Sequence, residues 1–207
     1  MKLIKPSYDI INLEDRDVIL KRLELAGRTA YKSEDKITED SASKFIKMIV
    51  KRGHFSVIEH ASMTVKFIFD RGISHEMVRH RIASYTQEST RYCNYTKKNE
   101  DGGLNIIDIV DHMTLEQYDI WLDTMAYLEA QYQTLLAAGA PPQIARSVLP
   151  NSLKTEIIVT ANLREWREIF RQRAAAAAHP QIREVMKPLL NEMSEFLPEI
   201  FNNVIKK

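Results

Sequence analysis

The octapeptide Met63–Asp70 limits the fold more than any other stretch of this chain. Apolar Met63, Val65, Phe67 and Phe69 alternate with polar Thr64 and Lys66, the two-residue period of a strand with one buried face. Something must cover that face, and most other patterned segments have a helical period. Thr155–Thr160 reads as a second, β-branched strand, Leu104–Val110 as a short one, and residues 1–13 as an edge strand. The expectation is one α+β domain over residues 1–207, an antiparallel sheet flanked by helices.

The helices follow from spacing and caps. Val18, Ile19, Leu20, Leu23 and Leu25 place one from Asp15 to Gly27 or Tyr31, before a polar turn at Lys32–Lys36. Thr38 reads as the N-cap of a second, running to Gly53. Ser56 with Glu59 reads as a capping box for a short helix. Arg71-Gly72 breaks the strand, and Ser74 caps a helix running to Arg79-His80-Arg81 and then a loop. Asp101-Gly102-Gly103 reads as a turn. Thr114 and Gln117 open a long helix closed by Gly139, long enough to suggest a subunit interface. A short helix follows Pro141-Pro142. Asn162 caps the next one, with Leu163, Trp166, Ile169 and Phe170 inward and Arg167 and Arg171 in solvent. The run Ala174–Ala178 continues it, and the last helix, Ile182 to Leu197, is bent at Pro188.

Composition narrows the function. A net charge of +1 argues against a general nucleic-acid or membrane surface, which needs many excess cations. Cys93 is the single cysteine, so an internal disulfide is excluded and a cytoplasmic setting is expected. Six glycines, with no G-x-G-x-x-G and no Walker loop, leave nucleotide binding to side chains. His54, Glu59 and His60 fit no familiar ligand spacing, and no metal is expected.

The residue types suited to anion chemistry are concentrated in Arg79-His80-Arg81 through Tyr92. Three arginines, a histidine, Ser89, Thr90 and Glu88 fall within fourteen residues. Guanidinium groups give bidentate donors that match phosphate, and hydroxyls complete a cradle. A basic helix end running into a solvated loop would share this composition. The spacing is more particular: Arg-His-Arg, seven residues, Ser89, one residue, then Arg91-Tyr92. It resembles the signature of the flavin-dependent thymidylate synthases, the ThyX family.

Other segments resemble that family in the same order. They are Gly53-His54 with Ser56 and Glu59-His60, Ala145-Arg146 before Val148-Leu149-Pro150, and Asn162-Leu163-Arg164 followed by Arg173. The resemblance implies a homotetramer with FAD in clefts between subunits. It implies reductive methylation of dUMP to dTMP, with methylenetetrahydrofolate as carbon donor and NADPH as reductant. His54, Ser56, Arg79, His80, Arg81, Gln87, Asn162, Leu163, Arg164 and Glu168 would meet FAD. Gln87, Glu88, Ser89, Thr90, Arg91, Arg146 and Arg173 would hold dUMP, with Glu76 and Arg79 reaching in from a neighbouring subunit. Arg173 would stabilise the ionised uracil, as a fixed cation can. Cys93 is read as a packed side chain, not a nucleophile.

Three residues depart from the family pattern. Glu76 stands where Gln is common, Gln143 where Glu is common, and Glu168 where Asn or His meets the flavin. A carboxylate at Glu168 would disfavour an anionic reduced ring. These departures support an alternative, a nucleotide- and flavin-binding protein of this fold with impaired catalysis.

Overall fold

The computed structural model describes residues 1–95 and 103–205. The expected turn at Asp101-Gly102 lies outside those residues. The fold is α+β, and the principal sheet is antiparallel and flanked by helices. Its four strands run in the order β2 (Ser7–Asn12), β3 (Ser62–Asp70), β6 (Lys154–Asn162), β4 (Ala83–Gln87). A separate parallel pair joins β1 (Lys2–Ile4) to β5 (Asn105–Ile107), in the register Leu3 to Ile106. The expected N-terminal strand is therefore two strands in two sheets. Lys5-Pro6 separates them, and proline supplies no ladder donor.

The chain divides into two compact units. One comprises Met1–Ser7, Phe67–Arg79 and Thr86–Ile158; the other comprises Tyr8–Lys66, His80–Tyr85 and Val159–Lys207. In the first, Leu104, Ile106, Trp121, Met125, Tyr132, Ala145 and Leu153 form one apolar cluster. Trp121, Met125 and Tyr132 come from the long helix α4 (Leu115–Ala137), and Ala145 from the short helix α5 (Pro142–Ala145). The Thr114–Gln117 capping box of α4 is present as expected, and Gly139 follows the end of α4 at φ 90°, a conformation that glycine adopts without strain. Helix α3 (Arg71–Met77) starts four residues earlier than a Ser74 cap suggests, because Asp70 caps it by accepting from the Ile73 amide at 2.7 Å. Arg71-Gly72 thus lies inside the helix.

In the second unit, Met63 and Val65 of β3 are fully buried with Leu163, Trp166, Ile169 and Phe170, the inward face of α6 (Leu163–Arg173). Trp166 Nε1 donates to the Met63 carbonyl at 3.0 Å. Helix α1 (Arg16–Thr29) packs on α2 (Ser41–Lys51). A Cβ at Gly27 would lie 2.6 Å from the Phe45 ring, so only glycine allows that approach. Helices α7 (Pro180–Phe196) and α8 (Pro198–Phe201) close the unit, with Pro188 inside α7.

Several local expectations are corrected. Helix α2 begins at Ser41, not after Thr38; the Ser41 hydroxyl accepts from the Thr38 amide, which makes a turn out of the expected cap. Phe55–His60 is a 3-10 turn without a side-chain cap, because the Glu59 carboxylate is taken by Arg164 at 2.5 Å. Ala174–Ala178 forms bends and turns. Alanine tolerates helix, yet α7 restarts at Pro180 with His179 as its cap, so the chain must turn between the two helices.

Candidate active site

In the first unit, the signature ends as strand and tight turn. β4 carries the segment that had been expected as a loop. At its end Gln87 Nε2 donates to Ser74 Oγ at 2.8 Å and Thr155 Oγ1 at 3.1 Å. Both hydroxyls are fully buried, so the amide is anchored rather than presented loosely. The Glu88 amide donates to the Glu156 carbonyl at 2.8 Å, and the Glu88 carboxylate accepts from Lys154 at 3.1 Å. Burial alone would lower the Lys154 pKa, but its bonds to Glu156 and Glu88 raise it, so Lys154 stays cationic.

The turn that follows is held by its own hydroxyls. Ser89 Oγ accepts from the Arg91 amide at 3.2 Å. Thr90 is buried and its Oγ1 accepts from Arg146 at 3.0 Å, which joins two segments 56 residues apart. The Arg91 guanidinium lies over the exposed Tyr92 ring, 5.3 Å from its centroid. Arg79 is exposed and Glu76 half-buried beside it in sequence. In this unit Gln87, Glu88, Ser89, Thr90 and Arg91 follow one another along the chain, and Arg146 is bonded to Thr90.

In the second unit the organising element is α6. Asn162 caps it through its side chain, which accepts from the Glu165 amide at 2.9 Å. Arg173 ends the helix, and its Nε donates to His80 Nε2 at 3.1 Å. His80 is only 5% exposed, and its Nδ1 lies 3.4 Å from Glu165 Oε1. Tyr85 donates its hydroxyl to the His80 carbonyl at 2.7 Å. Burial, with the nearby Glu165 charge, pushes the Tyr85 pKa up to about 12, so that donor is retained at neutral pH. Both His80 ring nitrogens face groups within the chain.

A pocket of about 490 Å³ opens beside α6, lined among others by Phe55, Ile82, Asn162, Arg164, Glu165 and Glu168. Three of the expected flavin residues, Asn162, Arg164 and Glu168, are therefore brought together. Phe55 and Ile82 give an apolar wall and Arg164 a cation at the rim, a donor set that fits part of a flavin nucleotide. The Glu168 carboxylate is held by Arg171 at 2.5 Å and 2.7 Å and by Gln172. The Arg171 bond keeps its pKa below the ordinary carboxylate value. Its charge is balanced locally, which weakens the expected conflict with a reduced ring. Arg81 and Ser56 are exposed. His54 lines a different pocket, with Arg28, Tyr31, Phe45 and Arg52. The Leu163 side chain is fully buried, so any flavin contact it makes is through its backbone. Arg167, expected in solvent, is half-buried: it donates to the Ile200 carbonyl and lies 4.9 Å from the Phe55 ring centroid.

The comparisons with known proteins bear on these groups. The family model described as "Thymidylate synthase complementing protein" matches residues 15–199. A flavin-dependent thymidylate synthase of Pyrococcus furiosus is 36% identical over 82% of this chain and 69% of its own. That of Geobacter sulfurreducens is 34% identical over 86% and 79%, and that of Mycobacterium tuberculosis 33% over 86% and 77%. This chain belongs to the flavin-dependent thymidylate synthase family. The crystal structure of a UMP/dUMP methylase, PolB from Streptomyces cacaoi bound with 5-Br dUMP, superposes with a TM-score of 0.77 over 98% of this chain and 96% of that one, at 21% identity. It shares the fold.

For this family member, sequence reasoning missed Glu165, Lys154, Ser74 and Thr155. Glu165 was the most concealed. It stands three residues after the cap Asn162, where a carboxylate is expected to reach back to the cap's backbone. Its side chain turns to His80 instead. Ser74 was noticed, but as a helix cap. Its 13-residue separation from Gln87 carries no local signal.

Proposed function

We propose that this chain catalyses reductive methylation of dUMP to dTMP, with FAD as cofactor, methylenetetrahydrofolate as carbon donor and NADPH as reductant. The observation that carries the reading is Arg173, a half-buried guanidinium fixed at Nε by a buried histidine, on the helix whose first turn lines the candidate flavin pocket. Replacing the C5 hydrogen of uracil by methyl requires electron density at C5. A guanidinium beside the ring oxygens stabilises the ionised uracil that supplies it. Arginine holds its proton throughout, so Arg173 acts as an electrostatic stabiliser and not as a base. What a bound flavin supplies is the hydride that completes the methyl group.

In this reading Ser89, Thr90, Arg91 and Arg146 bind the phosphate, and Gln87 and Glu88 position the nucleotide. Glu76 and Arg79 reach in from a neighbouring subunit of a homotetramer, and His54, Ser56, Arg79, His80, Arg81, Gln87, Asn162, Leu163, Arg164 and Glu168 hold FAD. The 1–207 chain acts as one domain, supported by β3, β4 and β6 each contributing residues to both compact units. A cytoplasmic location belongs to the same reading, in which Cys93, the single cysteine, stays reduced. The impaired-catalysis alternative is not favoured, because Glu168 is neutralised by Arg171 rather than directed alone at the pocket.

The test is direct. Purified protein should be yellow, oxidise NADPH faster with dUMP present, and form dTMP when methylenetetrahydrofolate is added. Arg173→Ala should abolish dTMP formation and keep FAD. Colourless protein that takes up no added FAD, or an Arg173→Ala chain with the parent rate, would overturn the assignment.

A further inference from the structure

The buried triad Arg173–His80–Glu165 has a chemical polarity. Arginine has only donors, so the atom accepting from Arg173 Nε must offer a lone pair. That atom is His80 Nε2, at 3.1 Å. The proton of the neutral ring is then on Nδ1, which faces Glu165 Oε1 at 3.4 Å. Were the proton on Nε2 instead, it would point at the Arg173 N–H, and Nδ1 would turn its lone pair on a carboxylate. Both changes are unfavourable in a site this closed, since His80 is 5% and Glu165 8% exposed.

Position on the helix makes the link possible. Glu165 lies in the first turn of α6 and Arg173 at its end, roughly 12 Å apart along the axis. Side chains on a helix lean towards its N-terminus, so Arg173 reaches back while His80 bridges the gap from the segment ahead of β4. Tyr85 holds the His80 carbonyl by a hydrogen bond from its hydroxyl.

We propose that Glu165 is a positioning residue for the methylation: it holds His80 in the Nδ1–H tautomer, whose Nε2 sets the plane of the Arg173 guanidinium that meets the pyrimidine. The role of Arg173 rests on the function proposed above; the tautomer does not. Glu165 faces the His80 ring. It acts through the ring, as outer hydrogen-bond partners commonly orient functional histidines.

The experiment has two parts. In ¹⁵N-histidine-labelled protein, the shifts of His80, assigned with His80→Gln, should show Nε2 unprotonated near neutral pH. In calorimetry on FAD-loaded protein, Glu165→Ala should weaken dUMP binding about tenfold, a loss typical of one misdirected charged hydrogen bond. Glu165→Gln keeps an acceptor for Nδ1–H and should restore affinity to within about threefold. FAD content is measured in both variants, because Glu165 also lines the candidate flavin pocket, and dUMP affinities are compared at equal FAD occupancy. A purely structural role would lower melting temperature without separating Ala from Gln in dUMP affinity. Protonated Nε2 in the parent, unchanged dUMP affinity in Glu165→Ala, or equal weakening in both variants would each overturn the proposal. The parent tautomer needs no variant, so an Ala chain that folds poorly still leaves a decisive measurement. If the parent binds dUMP but forms no dTMP while His80 shows the stated tautomer, the proposed function fails and the tautomer assignment stands.

Discussion

Asn162 serves the fold and the candidate cofactor pocket at once, and the two roles can be separated by substitution. Its backbone is extended (φ −73°, ψ 165°) and its side chain accepts from the Glu165 amide at 2.9 Å, the geometry of an N-cap. Asn162→Ala leaves that amide without its partner. The expected cost is about 1 kcal/mol, within the usual range of about 0.5–2 for a lost cap. Water replacing the side chain would keep the loss in the lower half of that range, and half-burial of Asn162 limits that replacement. For a chain of this size the loss corresponds to a melting shift of roughly 2–4 °C per kcal/mol.

Asn162→Asp separates the roles. A carboxylate caps as well as an amide and favours the positive end of the helix, so stability should stay within about 0.5 kcal/mol of the parent. Flavin affinity should fall, because the amide donor becomes a negative charge on the wall of the pocket. Urea unfolding of flavin-stripped protein removes the contribution of ligand binding to stability, and FAD titration by fluorescence quenching reads the second role. If Asn162→Ala unfolds at the parent urea midpoint, the cap argument is wrong. If Asn162→Asp binds FAD as tightly as the parent, Asn162 does not face the cofactor.

Three further outcomes are expected. Trp166→Phe removes the donor to the buried Met63 carbonyl and leaves a gap beside Phe170, so urea unfolding should show a loss of roughly 2–4 kcal/mol; an unchanged midpoint would refute it. Gln87→Leu strips the amide from buried Ser74 and Thr155 and should cost about 1–3 kcal/mol in the same assay, whereas a neutral result would mean the two hydroxyls satisfy each other. Burial, then the Glu168 charge, raise the Glu165 pKa, with Arg164 opposing. The folded state therefore binds this proton more tightly, and the stability it contributes is present below the unfolded value of 4.5 and lost as pH rises through the folded one. Glu165→Gln should gain stability relative to the parent across that rise, read as urea midpoints between acid and neutral pH; a difference that does not change with pH would refute the shift.

What was legible in the sequence follows the range of the interactions involved. The strand Met63–Phe69 was readable because its period is local, and its four apolar residues are all buried. The Thr114–Gln117 and Asn162 caps were readable because a cap and its target lie three residues apart. Asp70 and Ser41 show where this fails: several polar residues near a helix start can serve, and tertiary packing selects among them. The arginines were legible as a set, but not their partners. Arg146 meets Thr90 across 56 residues, Arg173 meets His80 across 93, and Arg164 meets Glu59 across 105. Charge type shows that a guanidinium needs an acceptor. Only the fold determines which one.

Those partners change what the arginines can do. Arg164 and Arg171 each hold a carboxylate at the pocket, Glu59 and Glu168, so the pocket is less cationic than its arginine content suggests. Arg173 differs in the partner of its Nε, an imidazole nitrogen rather than a carboxylate, a contact that orients the guanidinium without itself adding a negative charge. A carboxylate in that position would have fixed the side chain equally well and removed most of the field available to a pyrimidine. Histidine, with Glu165 one bond further away, gives orientation without placing a carboxylate on the guanidinium Nε. In the proposed function, that contact suits Arg173 to stabilising an anionic ring.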